Sequence, residues 1–192
     1  MSFTKAFFFI FITSFLMVNT SIEASIDKYF SSFKSLKSLK ADFKQDKLIK
    51  SLDIVVSSEG RLEIDKPEFF LWAVVKPSSI SFKFEKNEIQ LITNGKVTMS
   101  TQVGKVGSDL LEMINFLKSL MNMDKEYILS HFHIKETSEK SFLLTPVVEK
   151  KLFQQISIKF GSRDEITKII LTELSGDLIT INFLNHIIKY AK

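Results

Sequence analysis

Residues Phe69 to Val75 read FFLWAVV, seven apolar residues in a row framed by Pro67 and Pro77. The run is too short for a core helix. It is rich in aromatic and β-branched residues, which fit a strand. A strand with one wet face alternates apolar and polar residues. This one does not, so both of its faces need cover. One face can point into an interior. The other must meet the sheet's own curl, a partner or a crossing helix.

The flanking segments share the strand signal. From Ala41 onward ADFKQDKLI, SSEGRLEID, FFLWAVV, SISFKFEK and EIQLIT follow one another with short polar breaks. Thr93-Asn94-Gly95-Lys96 then supplies a two-residue hairpin signal, because Asn and Gly accept positive φ. KVTMSTQV returns from it. Five or six such strands form an antiparallel meander. Ahead of them, Ile26, Phe30, Phe33 and Leu36 recur at spacings of three and four, which predicts an amphipathic helix over SIDKYFSSFKSLKSLK.

After the meander the period changes again. Two glycines lead to Ser108 or Asp109 as a helix N-cap. Leu110, Ile114, Leu117 and Met121 share one helical face, widened by Leu111, Phe116 and Leu120, and a second short helix starts near Asp124. Strands resume with HIKETS, KSFLLTP, FQQISIKF, EITKIILTEL and DLITINFLN, broken at Gly161–Asp164 and Ser175–Asp177. The expected fold is α+β: about 10 to 11 antiparallel strands in a curved, nearly closed sheet. The helical insert has to bury its stripe, and the concave face of the sheet is where it can do so.

The N-terminus MSFTKAFFFIFITSFLMVNTSIEAS has the three parts of a secretory signal. These are the cation Lys5, an apolar run from Ala6 to Val18, and Ile22-x-Ala24 at a cleavage site. Residues 1–24 are expected to be removed, leaving 25–192 as one domain. No later window is apolar and long enough to span a bilayer. The chain has no cysteine, so an exported form relies on its core and carries no lipid of its own on a cysteine. This combination fits the periplasm of a Gram-negative bacterium. The net charge of +4 comes from lysines interspersed with acids, a solvated surface rather than a nucleic-acid stripe. Nineteen phenylalanines against three tyrosines point to apolar contact area with few polar handles.

Catalytic signals are weak. His131-Phe132-His133 would place two rings on one side of a strand, but a metal needs a third ligand from His186 or a distant carboxylate. The plainer reading is a loop-to-strand junction. Nucleophile-elbow, P-loop and dinucleotide fingerprints are absent, and GKVG at 104–107 is too short to cradle phosphate. Asp42 and Glu59 read as surface groups. Met113, Met121 and Met123 on the insert suit either core filling or an adaptable apolar surface. No enzyme activity and no cofactor are expected.

Four motifs in order resemble one family, the LolA-type periplasmic lipoprotein carriers. The amphipathic helix leads into SLKADFKQ, with Phe43 and Gln45 at the family's Phe-x-Gln. SSEGRLEIDKPEFFLW supplies Gly60, Leu62, Lys66, Pro67, Phe70 and Trp72. LITNGK matches the family's turn at Asn94, Gly95 and Lys96, and FLLTP matches its strand at Leu144, Thr145 and Pro146. The resemblance covers most of residues 26–184. It implies an unclosed antiparallel half-barrel with a helical lid over a hydrophobic cavity. It also implies a monomeric carrier that takes an acylated lipoprotein, or another lipid, from an inner-membrane transporter toward an outer-membrane acceptor. On that reading Phe43, Leu62, Ile64, Phe70, Trp72 and Val74 line the cavity. Leu110, Ile114, Leu117 and Met121 form the lid.

Three departures mark a divergent member. The family's lid-latching Arg is Lys66 here, an ammonium without the rigid guanidinium fork. The stretch from Pro77 to Gly95 is longer than usual and implies an extended hairpin. After LITINFLN the chain ends at HIIKYAK, without the family's aromatic tail, which points away from the usual acceptor. A lipid-binding periplasmic sensor of the same half-barrel architecture is the alternative, and an esterase stands a distant third. If the leader is read correctly, N-terminal sequencing of the exported protein returns Ser25-Ile26-Asp27. A sequence starting at Met1 or Ser2 would show an uncleaved leader.

Overall fold

The computed structural model describes residues 27–29, 31, 34–107, 111, 114–116, 118–119, 124–148 and 153–191. The leader lies outside them. Eleven strands follow in order: β1 (Leu36–Ile49), β2 (Ile54–Asp65), β3 (Phe69–Lys76), β4 (Ile80–Glu85), β5 (Glu88–Thr93), β6 (Lys96–Gln102), β7 (Phe132–Ser138), β8 (Ser141–Pro146), β9 (Phe153–Phe160), β10 (Ile166–Glu173) and β11 (Leu178–Tyr190). A 3₁₀ turn (Val103–Lys105) follows β6, and helix α1 (Lys125–His131) leads into β7. Asp124 caps α1 by accepting the Tyr127 N–H at 2.9 Å, which fits the helix start expected there.

All strands lie in one antiparallel sheet, ordered β6-β5-β4-β3-β2-β1-β11-β10-β9-β8-β7. The order never returns on itself, so the sheet is unclosed. Each meander runs outward from the centre, where β1 and β11 pair from Leu36↔Tyr190 to Leu48↔Leu178. The Asn94-Gly95 turn has φ of 51° and 75°, as a two-residue hairpin requires. The Pro77–Gly95 stretch is a hairpin of two six-residue strands joined at Lys86-Asn87.

Two boundaries differ from the sequence reading. The predicted N-terminal helix is shorter: residues 27–29, 31 and 34 are helical, and Leu36 already belongs to β1. A β-bulge at Lys37 lies just inside this boundary. It places Leu36 and Leu39, three apart, on the same buried face before strict alternation resumes at Ala41 and Phe43. β11 also continues past LITINFLN to Tyr190. A second register shift admits Asn185 at φ 53°, where its amide donates to Asp42 at 2.8 Å.

On the outer face of β3 the neighbouring strands supply cover. Glu63 and Lys83 flank Leu71, Arg61 and Ser81 flank Ala73, and Asp65 and Glu85 flank Phe69. The long side chains lean over the apolar ones and pair at their tips. Arg61 meets Glu63 at 3.6 Å, and Lys83 meets Glu85 at 2.6 Å. Lys83 also stands 6.0 Å from the Phe69 ring centre. Aliphatic stems therefore shield this face while the charged heads stay wet. Ala73 ends up only 3% exposed.

Candidate functional site

The inner face of the sheet is apolar along its length. Alternation places Phe43 (β1), Leu62 and Ile64 (β2), and Phe70, Trp72 and Val74 (β3) on that face, next to Phe82 and Phe84 (β4) and Ile89 (β5). All six residues expected from the sequence to line a cavity belong to one packed cluster. Phe43, Leu62, Ile64 and Phe70 are buried, while Trp72 and Val74 are partly buried against them.

The centre of this cluster is a stack across three strands. The rings of Phe43 on β1 and Trp72 on β3 lie 4.0 Å apart at 22°. The strand between them contributes Gly60, directly opposite Phe43. A Cβ there would overlap both the Phe43 ring and the Ala73 carbonyl oxygen. The glycine is thus the gap through which the two rings meet. Phe183 on β11 meets Trp72 edge-on at 6.1 Å.

The helical insert reaches this floor. Ile114 is 2% exposed within the same cluster, and Leu111 and Val106 pack against it. Lys118 places its ammonium 4.6 Å over the Phe84 ring, a contact that apolar periodicity gave no reason to expect. Leu110, Leu117 and Met121, expected beside Ile114, lie outside the described residues, as do Met113 and Met123. Lys66, expected as the latch, sits at the β2–β3 turn. Its backbone N–H donates to the Lys37 carbonyl at 2.9 Å, and partial burial pulls its ammonium pKa down.

A second cluster on the other half was not foreseen. Tyr29, Ile128, Phe132, Phe142, Leu144, Ile156, Ile158 and Phe160 form it, with Phe116 of the insert against it. Tyr29 stacks on Phe160 at 4.4 Å and meets Phe142 edge-on at 5.3 Å. Burial, and then the charge of Asp164, push its hydroxyl pKa up. The expected helix stripe ran through Phe30 and Phe33, which lie outside the described residues, and it passed over Tyr29. Ile166, Ile169 and Leu171 touch both clusters and join them.

The polar candidates are dispersed. His131 stacks on Tyr127 at 3.9 Å and contacts its carbonyl at 2.8 Å, His133 is exposed on β7, and His186 contacts the Ile166 carbonyl at 2.9 Å. Among the described residues no three His or carboxylate side chains gather as a metal site. Asp42 is exposed, and Glu59 is half-exposed near Lys44 and Lys76, at 3.7 and 3.5 Å. Glu88 accepts from Ser100 and Gln90, bonds that hold its carboxyl pKa below the usual value at the β5–β6 edge, away from the apolar floor.

An open antiparallel half-barrel with an apolar, helix-contacted inner face is the class of domain these features define. Residues 34–189 match the model of the family described as "Outer membrane lipoprotein carrier protein LolA", and the chain belongs to that family. It is 23% identical over 181 residues to an outer-membrane lipoprotein carrier protein of Francisella philomiragia, covering 90% of this chain and 82% of the relative. Among solved structures it is similar to a LolA superfamily protein from Nitrosomonas europaea, with a TM-score of 0.43 and 7% identity over 88% of this chain and 95% of that one. It is also similar to a chain in the Pseudomonas aeruginosa MucA/MucB complex, with a TM-score of 0.49 and 10% identity over 90% of this chain and 59% of that one.

Gly60→Ala is expected to separate the Phe43 and Trp72 rings and to cost about 1–3 kcal/mol, as overpacking does. The loss is read as a lower urea midpoint at unchanged slope. An unchanged midpoint would show that the stack tolerates a methyl group.

Proposed function

We propose that this protein is a periplasmic carrier that shields the acyl chains of a lipoprotein, or a related lipid, on its concave face and does no covalent chemistry. One observation carries the reading beside family membership. On the face of the sheet that carries the floor, Ile80 beside Val74 and Met99 beside Leu91 are each more than 40% exposed. An apolar surface of this kind, continuous with a core, suits an apolar ligand.

The energetics agree. Each acyl CH₂ hidden from water is worth about 0.8 kcal/mol, so a free acyl chain does not cross an aqueous space alone. A carrier must cover the chain and still release it. Ile114 and Leu111 occupy the floor in the empty protein. Cargo then replaces existing apolar contacts rather than creating new ones, and net affinity stays moderate. On this reading the insert is a lid, Phe43, Leu62, Ile64, Phe70, Trp72 and Val74 form the ligand surface, and an inner-membrane transporter is the donor.

Trp72 is the only tryptophan and stands at the centre of the floor. Titrating palmitate into delipidated protein is expected to change its emission saturably, and Trp72→Glu, read by direct lipid extraction because it has no tryptophan, to abolish uptake while the far-ultraviolet dichroism stays native. A flat titration by both fluorescence and direct lipid extraction would refute the carrier reading.

Lys66 tests the latch separately. If its half-buried ammonium helps to hold the insert down, Lys66→Met takes up palmitate several-fold faster with the same final occupancy. An unchanged rate removes Lys66 from the latch.

A further inference from the structure

The β1–β2 hairpin extends beyond the strand next to it. β1 pairs with β2 all the way to Ile49↔Ile54, but the pairing of β2 with β3 stops at Glu59↔Lys76. Past that point the chain turns at Pro77–Ser79 into β4. No strand among the described residues pairs with the outer edge of Ile54–Ser58. Along this edge Ile54, Val55 and Val56 are 46%, 60% and 47% exposed, and Leu52 at the hairpin tip is 64% exposed.

Exposed edges in native sheets normally carry a lysine, a proline or a bulge that blocks pairing. The two ends of this sheet follow that rule. β6 has a register shift opposite Leu91/Ile92, and β7 carries His133 and Lys135. Ile-Val-Val-Ser-Ser has none of these devices. It is a strongly β-forming edge that no strand among the described residues pairs with.

We propose that this edge binds, by strand addition, the extended polypeptide segment that follows the acylated residue of a lipoprotein cargo. The proposal rests on the carrier reading. Open ladder groups call for a peptide backbone, which an acyl chain does not supply. Ile54, Val56 and Ser58 share the inner face with Gly60, Leu62 and Ile64, so the edge continues the acyl floor. Val56 lies four residues from Gly60, about 14 Å at roughly 3.4 Å per residue. A chain seated on Phe43 and Trp72 would therefore have its attached polypeptide within reach of the edge.

A second copy is the competing occupant. Pairing antiparallel about Val56 it would set Asp53 opposite Glu59 twice, but about Val55 it sets Asp53 opposite Ser57, so the concentration dependence of protection decides against or for it. An anionic lipid surface finds mixed charge at this end, where Lys47 pairs with Glu173 at 2.8 Å and Asp177 stands 4.0 Å away.

Amide hydrogen exchange on the exported protein tests the proposal with three probes: palmitate, a short diacylglyceryl-cysteine lipopeptide, and the same peptide without acyl groups. The lipopeptide is expected to slow exchange within 54–58, while palmitate protects the floor but not the edge. Val55→Pro gives a second reading. The Lys66 N–H donates to the Lys37 carbonyl, so along the unbroken β1–β2 register the even-numbered amides of β2 face β1 and the Val55 amide faces outward, while the Val55 side chain lies off the inner face. That variant should weaken lipopeptide binding by roughly tenfold, near the upper end for one lost hydrogen bond, and leave palmitate binding unchanged. Lipopeptide binding without protection at 54–58 would overturn strand addition while sparing the carrier reading. So would ligand-free protection that rises with protein concentration, or protection by phosphatidylcholine vesicles alone. If neither palmitate nor lipopeptide binds, both readings fall together.

Discussion

The contact of Phe43 with Trp72 across Gly60 organises the inner face. Two large rings two strands apart can stack at 4.0 Å only if the strand between them offers no side chain at that point. That requirement sets the register of β1, β2 and β3 together, because a slip of one residue would put a ring of β1 or β3 on the wrong face or a β2 side chain into the gap. It also explains why FFLWAVV needs no alternation. The inner half of the run belongs to the aromatic floor, and on the outer half Phe69, Leu71 and Ala73 lie beside the stems of Arg61, Glu63 and Lys83, while Val75 at the end is 51% exposed.

The apolar interior is not a single plug. One cluster centres on β1 to β5 and β11, the other on β7 to β9, and β10 supplies the residues common to both. The helical insert touches both halves, with Ile114 in the first and Phe116 against the second. Displacing it therefore exchanges contacts on two surfaces at once. In an open sheet the halves are tied through the strand ladder and through whatever lies between them.

Much of this was legible from residues alone. The hairpin at Asn94-Gly95 and the short strands followed from turn chemistry and strand patterning, while the six inner-face residues came with the family resemblance. The helix was carried to Leu36 because that residue follows Phe33 by three, although Leu36 opens β1. The charged cover of β3 was missed because it arises from cross-strand neighbours far apart along the chain. Tyr29 was missed because its partners, Phe142 and Phe160, become its neighbours only once the second meander has formed. The extension of β2 back to Ile54 was hidden by Leu52-Asp53, which reads as the start of nothing regular.

The central pairing of β1 with β11 also bears on how the molecule is made. Leu36 finds Tyr190 only after nearly the whole described chain has become available. The two meanders can form locally, but the ladder that joins them is among the most distant contacts the chain contains. Topologies of that kind condense slowly. A polypeptide whose middle ladder waits for β11 stays open and threadable until that strand has emerged.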